Sequence, residues 1–177
     1  MKKINIRKIE GGVKKIIFSS PGDYFVYFEN LSGSLIFDIV SSGVNLNIKG
    51  LYIGKKDNEF KISTFQNHQA PGSISNLYIK GVFYDSSIFY YRGLIRIEKN
   101  AQKSHAYQKN KNLIMSDRSF VDSKPYLEIL ANDVYCTHGS TTGRPNQEQM
   151  NYIKMRGLNN KQAEELLVKG FIDEIHY

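Results

Sequence analysis

The sequence contains one cysteine, Cys136, and no tryptophan among its 177 residues. A single cysteine cannot form a disulfide within the chain, so the sequence fits a reducing compartment. We therefore expect a cytoplasmic protein, with an organelle matrix as the alternative. No run of residues approaches the roughly 18 apolar residues that a membrane-spanning helix needs. The N-terminal residues carry basic charge without the apolar stretch of an export signal, so no membrane role is expected.

Motifs for nucleotide hydrolysis and for acid–base catalysis are also missing. The only string that resembles a phosphate-binding loop runs from Gly50 to Lys56, and it lacks the spacing and the hydroxyl residue that such a loop requires. No pair of carboxylates can be assigned to one catalytic face, as a carbohydrate-cleaving solenoid would need. We therefore predict that the chain is not an enzyme, and that any ATP hydrolysis in its work belongs to a partner subunit.

Positive charge is unevenly distributed along the chain, whose formal net charge is +7. Residues 1–144 hold 20 Lys and Arg against 12 Asp and Glu, whereas residues 145–177 hold 4 against 5. A basic surface can bind nucleic acid, so a basic β-rich module for nucleic acid or another polyanion is one hypothesis. Solvated surface charge is the simpler explanation, and we do not favour a nucleic-acid partner. Part of the excess forms a basic N-terminal arm that contains Lys2, Lys3, Arg7, Lys8, Lys14 and Lys15.

Short apolar segments follow one another between residues 14 and 138, and most are separated by turn residues such as Pro71-Gly72. In several segments apolar and polar residues alternate, which is typical of strands with one buried face. Strands at this spacing predict an all-β sandwich, barrel or solenoid. No strong helical period interrupts them, which argues against a parallel sheet with crossover helices. The segments are centred near Ile16, Val26, Phe37, Leu46, Ile62, Tyr78, Phe89, Ile95, Ile114, Leu127 and Val134.

The C-terminal part of the chain follows a helical pattern instead. Asn146 precedes Gln149 by three positions and Asn159 precedes Gln162 in the same way, a spacing typical of a capping box. Two helices are therefore predicted to begin at these residues. Because a short helical pair has little core of its own, its apolar residues must pack on the β body or on another protein. These residues include Met150, Ile153, Ala163, Leu166, Leu167, Gly170 and Phe171.

The stretch from Asn132 to Gly143 contains the most informative side chains. On a strand, Cys136 and His138 project to the same face and lie about 7 Å apart. A thiolate and an imidazole in this arrangement can ligate iron or zinc, or a cluster. The alternative is that Cys136 packs as a small hydrophobic residue and His138 closes a turn. His68 is another candidate ligand, although the turn that follows it explains a histidine there equally well.

Two groups of residues match the pattern of a known family. The first comprises Leu127-Glu128-Ile129, Asp133-Val134, Cys136-Thr137-His138-Gly139, Thr141, Gly143, Arg156-Gly157, Ala163, Leu166-Leu167 and Gly170-Phe171. The second comprises His68, Ala70-Pro71, Ser75, Lys80-Gly81-Val82, Gly93, Ala101-Gln102, Ala106, Gln108, Asn110, Asn112-Leu113 and Ser116-Asp117. Together they resemble the SufB/SufD family, the scaffold subunits of Suf-type iron–sulfur cluster assembly. The Cys136-Thr137-His138-Gly139 motif is more similar to SufD than to SufB.

This resemblance implies a mainly β fold, a right-handed parallel β-helix followed by a small α-helical C-terminal segment. Residues 1–144 would form the β-helix core with its basic arm, and residues 145–177 would form the helical segment. The implied partner is a SufC-type ABC ATPase that docks on this segment. The chain is shorter than typical family members, so we expect a shortened member. The residues expected to bind the ATPase are Met150, Ile153, Leu166, Leu167 and Phe171.

The resemblance also implies a transient iron–sulfur cluster, for which Cys136 and His138 are the expected ligands. One cysteine per chain cannot supply the four thiolates of an ordinary cluster. Ligation would then need a second chain, and we expect a homodimer or a heterodimer with another SufB/SufD-like chain. Two alternatives stay open: a structural adaptor for the ATPase without iron chemistry, and the polyanion-binding module described above.

Overall fold

The computed structural model describes residues 1–175, and the last two residues, His176 and Tyr177, lie outside the described residues. Strands fill the chain up to Gly143, and two helices follow. The strands are β1 (Lys2–Ile6), β2 (Val13–Phe18), β3 (Gly22–Glu29), β4 (Gly33–Ile39), β5 (Val44–Gly54), β6 (Glu59–His68), β7 (Ile74–Phe83), β8 (Ile88–Ile97), β9 (His105–Ile114), β10 (Phe120–Ile129) and β11 (Tyr135–Gly143). The helices are α1 (Gln147–Lys154) and α2 (Asn160–Asp173).

The strands form two parallel sheets between which the chain alternates. The first sheet has the order β1-β3-β5-β7-β9-β11, and the second has the order β2-β4-β6-β8-β10. Every strand from β3 onward therefore pairs with the strand two positions earlier in the chain, in parallel. This arrangement is a parallel β-solenoid, which confirms the predicted class of fold.

The register of the sheets places equivalent positions of successive coils side by side. Ile74 pairs with His105, and His105 in turn pairs with Tyr135. Each coil here takes 31 or 30 residues. Because side chains alternate between the two faces of a strand, one residue in two points into the solenoid and stacks on the equivalent residue of the next coil.

Aromatic rings form the centre of the interior. The fully buried ring of Phe89 lies 4.6 Å from the ring of Tyr52, 5.0 Å from that of Phe83 and 6.3 Å from that of Tyr91. The hydroxyl of Tyr52 donates to the carbonyl of Leu31 at 2.8 Å. The stack therefore buries large apolar surfaces while its polar ends keep hydrogen-bond partners.

Close packing between coils explains why residue 93 is a glycine. A Cβ atom on Gly93 would lie 2.2 Å from the Nε2 atom of Gln108 and 2.4 Å from the hydroxyl of Tyr91. Both neighbours are buried. Only a residue without a side chain therefore fits at this inward position.

The strand boundaries differ from the sequence prediction in three places. The apolar segments near Phe89 and Ile95 belong to the single strand β8, because no turn separates them. Strand β1 was not predicted, since it is short and Lys2, Lys3 and Asn5 make most of its residues polar. Of the residues expected to form a basic arm, Lys2 and Lys3 lie in β1, Lys14 and Lys15 lie in β2, and Arg7 and Lys8 lie in the connection between these two strands of the first coil.

The two helices begin where the capping residues predict. The Asn146 side chain accepts hydrogen bonds from the backbone at the start of α1, and Asn159 forms a reciprocal capping box with Gln162 at the start of α2. Ala163 of α2 is fully buried. In residues 1–175, neither helix is long and apolar enough to cross a membrane.

Candidate functional site

The two predicted cluster ligands lie on β11, the last strand of the first sheet. Cys136 pairs with Ala106 and His138 pairs with Gln108 on the preceding coil. Ala106 and Gln108 are buried inward-facing residues, so Cys136 and His138 continue the interior rows to the open end of the solenoid. There Cys136 is half-buried and His138 is exposed. The structure therefore brings both side chains to one face, as the strand periodicity predicts.

The environment of Cys136 is mainly apolar. Together with Val134 it packs against a small cluster that includes Ile97, Ala101 and Ala106. Burial raises the pKa of the Cys136 thiol to about 11. At neutral pH the group is therefore protonated and packs as a small hydrophobic residue, and a metal would have to displace its proton to bind.

The open end of the solenoid exposes several apolar side chains and the edge strand β11. Leu127, Ile129 and Leu130 of the last coil of the second sheet are exposed, as is Tyr135 at the start of β11. Strand β11 contains no Lys, Arg, Asp or Glu. An edge strand offers backbone groups for pairing with another chain, and charged residues are the usual protection against it. Strand β11 lacks that protection, whereas its neighbour at the same end, β10, contains Asp122, Lys124 and Glu128, and β1 and β2 carry lysines at the opposite end.

His68 lies inside the solenoid and is fully buried. Its Nδ1 atom lies 2.8 Å from the hydroxyl of Ser73, and its Nε2 atom lies 2.7 Å from the hydroxyl of Ser75. Both ring nitrogens therefore have hydrogen-bond partners, and the ring connects β6 to the next coil instead of presenting a free ligand atom. Burial lowers the pKa of His68 to about 4.

The buried His68 makes the stability of the fold pH-dependent. Between pH 6.5 and about 4 the unfolded chain binds a proton that the folded chain does not, so the free energy of unfolding falls as the pH is lowered. Over the whole window the loss approaches about 3 kcal/mol. We expect denaturant titrations from pH 7.5 to 4.5 to show this loss, and the variant His68→Gln to show a smaller one. Equal losses for the unmodified chain and His68→Gln would contradict the prediction.

Three inward-facing residues of β9 are polar and lie next to the open end of the solenoid, namely Gln108, Asn110 and Asn112. Asn110 and Asn112 donate to each other at 3.2 and 2.6 Å. The Oε1 atoms of Gln66 and Gln108 are buried without a hydrogen-bond partner. This row of buried polar residues was not predicted, although the polar residues alternate along β9 at inward positions. Within residues 1–175, no group of three or more His, Cys, Asp or Glu is arranged to hold a metal ion.

A second candidate surface is the apolar groove between α1 and α2, with a volume of about 580 Å³. The side chain of Leu166 is 50% exposed here, and Tyr152 is also exposed. Exposed apolar surface concentrated in a groove is typical of a protein–protein contact site. The groove is lined by Glu148, Gln149, Tyr152, Ile153, Leu166, Leu167 and Gly170.

The five residues expected to bind the ATPase occupy different positions. Ile153, Leu166 and Leu167 line the groove. Met150 is buried. The ring of Phe171 faces the β body, where the ammonium of a lysine on β7 lies 4.3 Å from its centre. The apolar residues of the helical pair are therefore divided between the solenoid and the exposed groove.

The fold and these two surfaces define a β-solenoid with a docked helical pair, a class of protein that offers extended surfaces for other chains. Residues 34–171 match the family model described as "SUF system FeS cluster assembly, SufBD core domain". The match covers most of the chain, and the chain belongs to the SufBD family.

Curated relatives agree with this family. The chain is 31% identical over 150 residues to the iron–sulfur cluster assembly protein SufD of Escherichia coli, a match that covers 82% of this chain and 36% of the relative. It is 27% identical over 135 residues to SufD of Bacillus subtilis, covering 76% of this chain and 31% of the relative. The chain thus spans about a third of the length of these relatives.

Proposed function

We propose that this chain is a scaffold subunit in Suf-type iron–sulfur cluster assembly, and that it holds the nascent cluster as cargo at a subunit interface. Membership of the SufBD family supports the assembly role. The more specific proposal rests on the position of Cys136 and His138. They lie two residues apart on β11, on one face of the strand, at the open end of the solenoid. We also propose that the protein is cytoplasmic and that the chain itself does not catalyse a reaction.

The ligand count supports an interface site. Cys136 is the only cysteine of the chain, and an ordinary cluster needs four protein ligands. A second chain that pairs along the uncharged edge of β11 would bring two more ligands to the same place and cover the exposed Leu127 and Ile129. The partner is a second copy of this chain or another SufB/SufD-like chain.

The second partner that we propose is a SufC-type ABC ATPase, docked on the groove between α1 and α2. The groove offers an apolar surface that the β body does not cover. The chain has no phosphate-binding loop, so ATP hydrolysis belongs to that partner. Closure of the ATPase would move the helical pair against the solenoid and so act on the interface that holds the cluster.

Anaerobic reconstitution with iron and sulfide tests the cluster-holding role. The chain, with its partner chain if it forms a heterodimer, should gain visible absorbance. We expect His138→Ala and Cys136→Ser to lose most of that absorbance, because each removes a ligand. His105→Ala is the matched control, since His105 is an exposed histidine on the neighbouring strand and points to the outer face. If neither ligand variant changes the spectrum, the better-supported function is that of a structural adaptor for the ATPase without iron chemistry.

The polyanion-binding module has weaker support in the structure. Its basic N-terminal residues lie in the first coil instead of a free arm. Nucleic-acid binding that weakens steeply with salt and depends on these lysines would favour it over the scaffold.

A further inference from the structure

Three donors on the outer face of the first sheet converge on one carboxylate oxygen, Oε2 of Glu174. The hydroxyl of Tyr78 donates to this oxygen at 2.9 Å and the ammonium of Lys80 donates at 2.7 Å. The Nζ atom of Lys111 lies 3.9 Å from it. The donors belong to β7 and β9, which are hydrogen-bonded neighbours, so the sheet and not the helix sets their spacing. The result is a preformed cradle for an oxyanion.

The cradle contains a buried positive charge. The Lys80 side chain is 0% exposed, whereas that of Glu174 is 56% exposed. The Lys80 ammonium also donates to the carbonyl of Phe171. Burial, together with the nearby Lys111 and Lys109, lowers the pKa of Lys80. Because a buried ammonium is costly without an anion beside it, this position requires one, and Glu174 supplies it from the open side.

A hollow of about 290 Å³ adjoins the cradle. In the register of the sheet, Tyr78 stands between Lys49 on one side and Lys109 on the other. The side-chain amides of Asn47 and Asn76 line the same hollow, where Asn76 donates to Asn47 at 3.3 Å. Among the described residues that line it, Glu174 has the single carboxylate. The three ammonium groups of Lys80, Lys109 and Lys111 therefore carry more positive charge than the single carboxylate of Glu174 neutralises.

We propose that the cradle and the hollow together bind a small anion with two or more phosphate groups. One phosphate would take the place of the Glu174 carboxylate on Lys80 and Lys111, and the next would reach Lys109. The hollow is at the lower end of the size of ligand sites, about 300 Å³, which fits a compact anion better than a polymer. In the chain without ligand, the Glu174 carboxylate occupies the anion position of the cradle. Ligand binding displaces this carboxylate and so releases the end of α2. This proposal stands independently of the cluster-holding role.

Calorimetric titration of the full chain with inorganic pyrophosphate tests the site. We expect Glu174→Gln to bind pyrophosphate at least 10-fold more tightly than the unmodified chain, because the competing charge is gone. Adding Lys109→Ala to that variant should weaken binding about 10-fold. Glu164→Gln is the matched control, since it removes the same charge from α2 and leaves Tyr78, Lys80 and Lys111 unchanged. Pyrophosphate should also speed amide hydrogen exchange at the end of α2 in the unmodified chain.

A second ligand, ADP, separates the sources of the anion. Binding of ADP as tightly as pyrophosphate would identify a nucleotide as the source of the phosphates, and binding of pyrophosphate alone would identify the free anion; both results support the site. The proposal is overturned if Glu174→Gln and Glu164→Gln have equal affinities, or if neither binds pyrophosphate. It is also overturned if a glutamate-rich peptide binds and pyrophosphate does not, since the cradle would then serve a protein carboxylate.

Discussion

Leu166→Asp is expected to weaken binding of the proposed partner, a SufC-type ATPase, at least 100-fold. Leu166 lies in the middle of the apolar groove, and its side chain is 50% exposed in the isolated chain. Docking of a partner there would bury the new carboxylate among Ile153 and Leu167 without a positive partner. A buried unpaired charge costs several kcal/mol, and about 2.8 kcal/mol already corresponds to a 100-fold change in affinity. Co-purification and calorimetric titration with the ATPase measure the loss.

Met155→Asp provides the control for this prediction. Met155 follows α1 and is also an exposed apolar residue of the helical segment, but it does not line the groove. The same change of chemistry at this position should leave ATPase binding within a few-fold of the unmodified chain. Hydrogen exchange of α2 should be unchanged in both variants, which separates a lost contact from a lost fold. Equal binding by Leu166→Asp and the unmodified chain would place the ATPase elsewhere.

Phe89→Ala is expected to lower the free energy of unfolding by about 3 to 5 kcal/mol. The ring of Phe89 is fully buried and contacts the rings of Tyr52, Phe83 and Tyr91. Its removal leaves a cavity that the close-packed coils cannot fill without shifting the sheets. Since whole domains are stable by only about 5 to 15 kcal/mol, this single change removes a large part of the stability. Unfolding in guanidinium chloride, followed by circular dichroism, measures it.

Phe120→Ala is the matched control for the core prediction. Phe120 is the same residue type on the last coil of the second sheet, and it is 51% exposed. Its ring lies 5.8 Å from the ring of Tyr90 at the surface. We expect a loss below about 1 kcal/mol, because little apolar area returns to water on unfolding. Similar losses for the two phenylalanines would show that the aromatic stack is not the centre of the core.

The sequence could predict those elements whose signals are local. Alternating residues such as Val44, Leu46 and Ile48 indicated strands, and all three are buried on β5. The spacing of Asn159 and Gln162 indicated a capping box, which the structure contains. In each case the residues that form the feature are close together in the chain, so the pattern itself carries the information.

The choice among sandwich, barrel and solenoid depended on non-local contacts. Alternation has the same period in all three, and the parallel partners of a strand lie about one coil away in sequence. The resemblance to the SufB/SufD family, and not the alternation, indicated the solenoid. The prediction missed β1 because a short polar strand becomes recognisable only through its pairing with β3.

For the candidate sites, the sequence determined which chemistry is present, and the tertiary structure decided where it acts. One cysteine, a histidine two residues later and two capped helices could be found in the sequence. Only the fold placed Cys136 and His138 on an open end, gave the cysteine an apolar environment and a raised pKa, and left Leu166 in an exposed groove. The contact between Lys80 and Glu174 joins residues 94 positions apart. No local pattern predicts it, because burial and charge pairing depend on how distant segments pack.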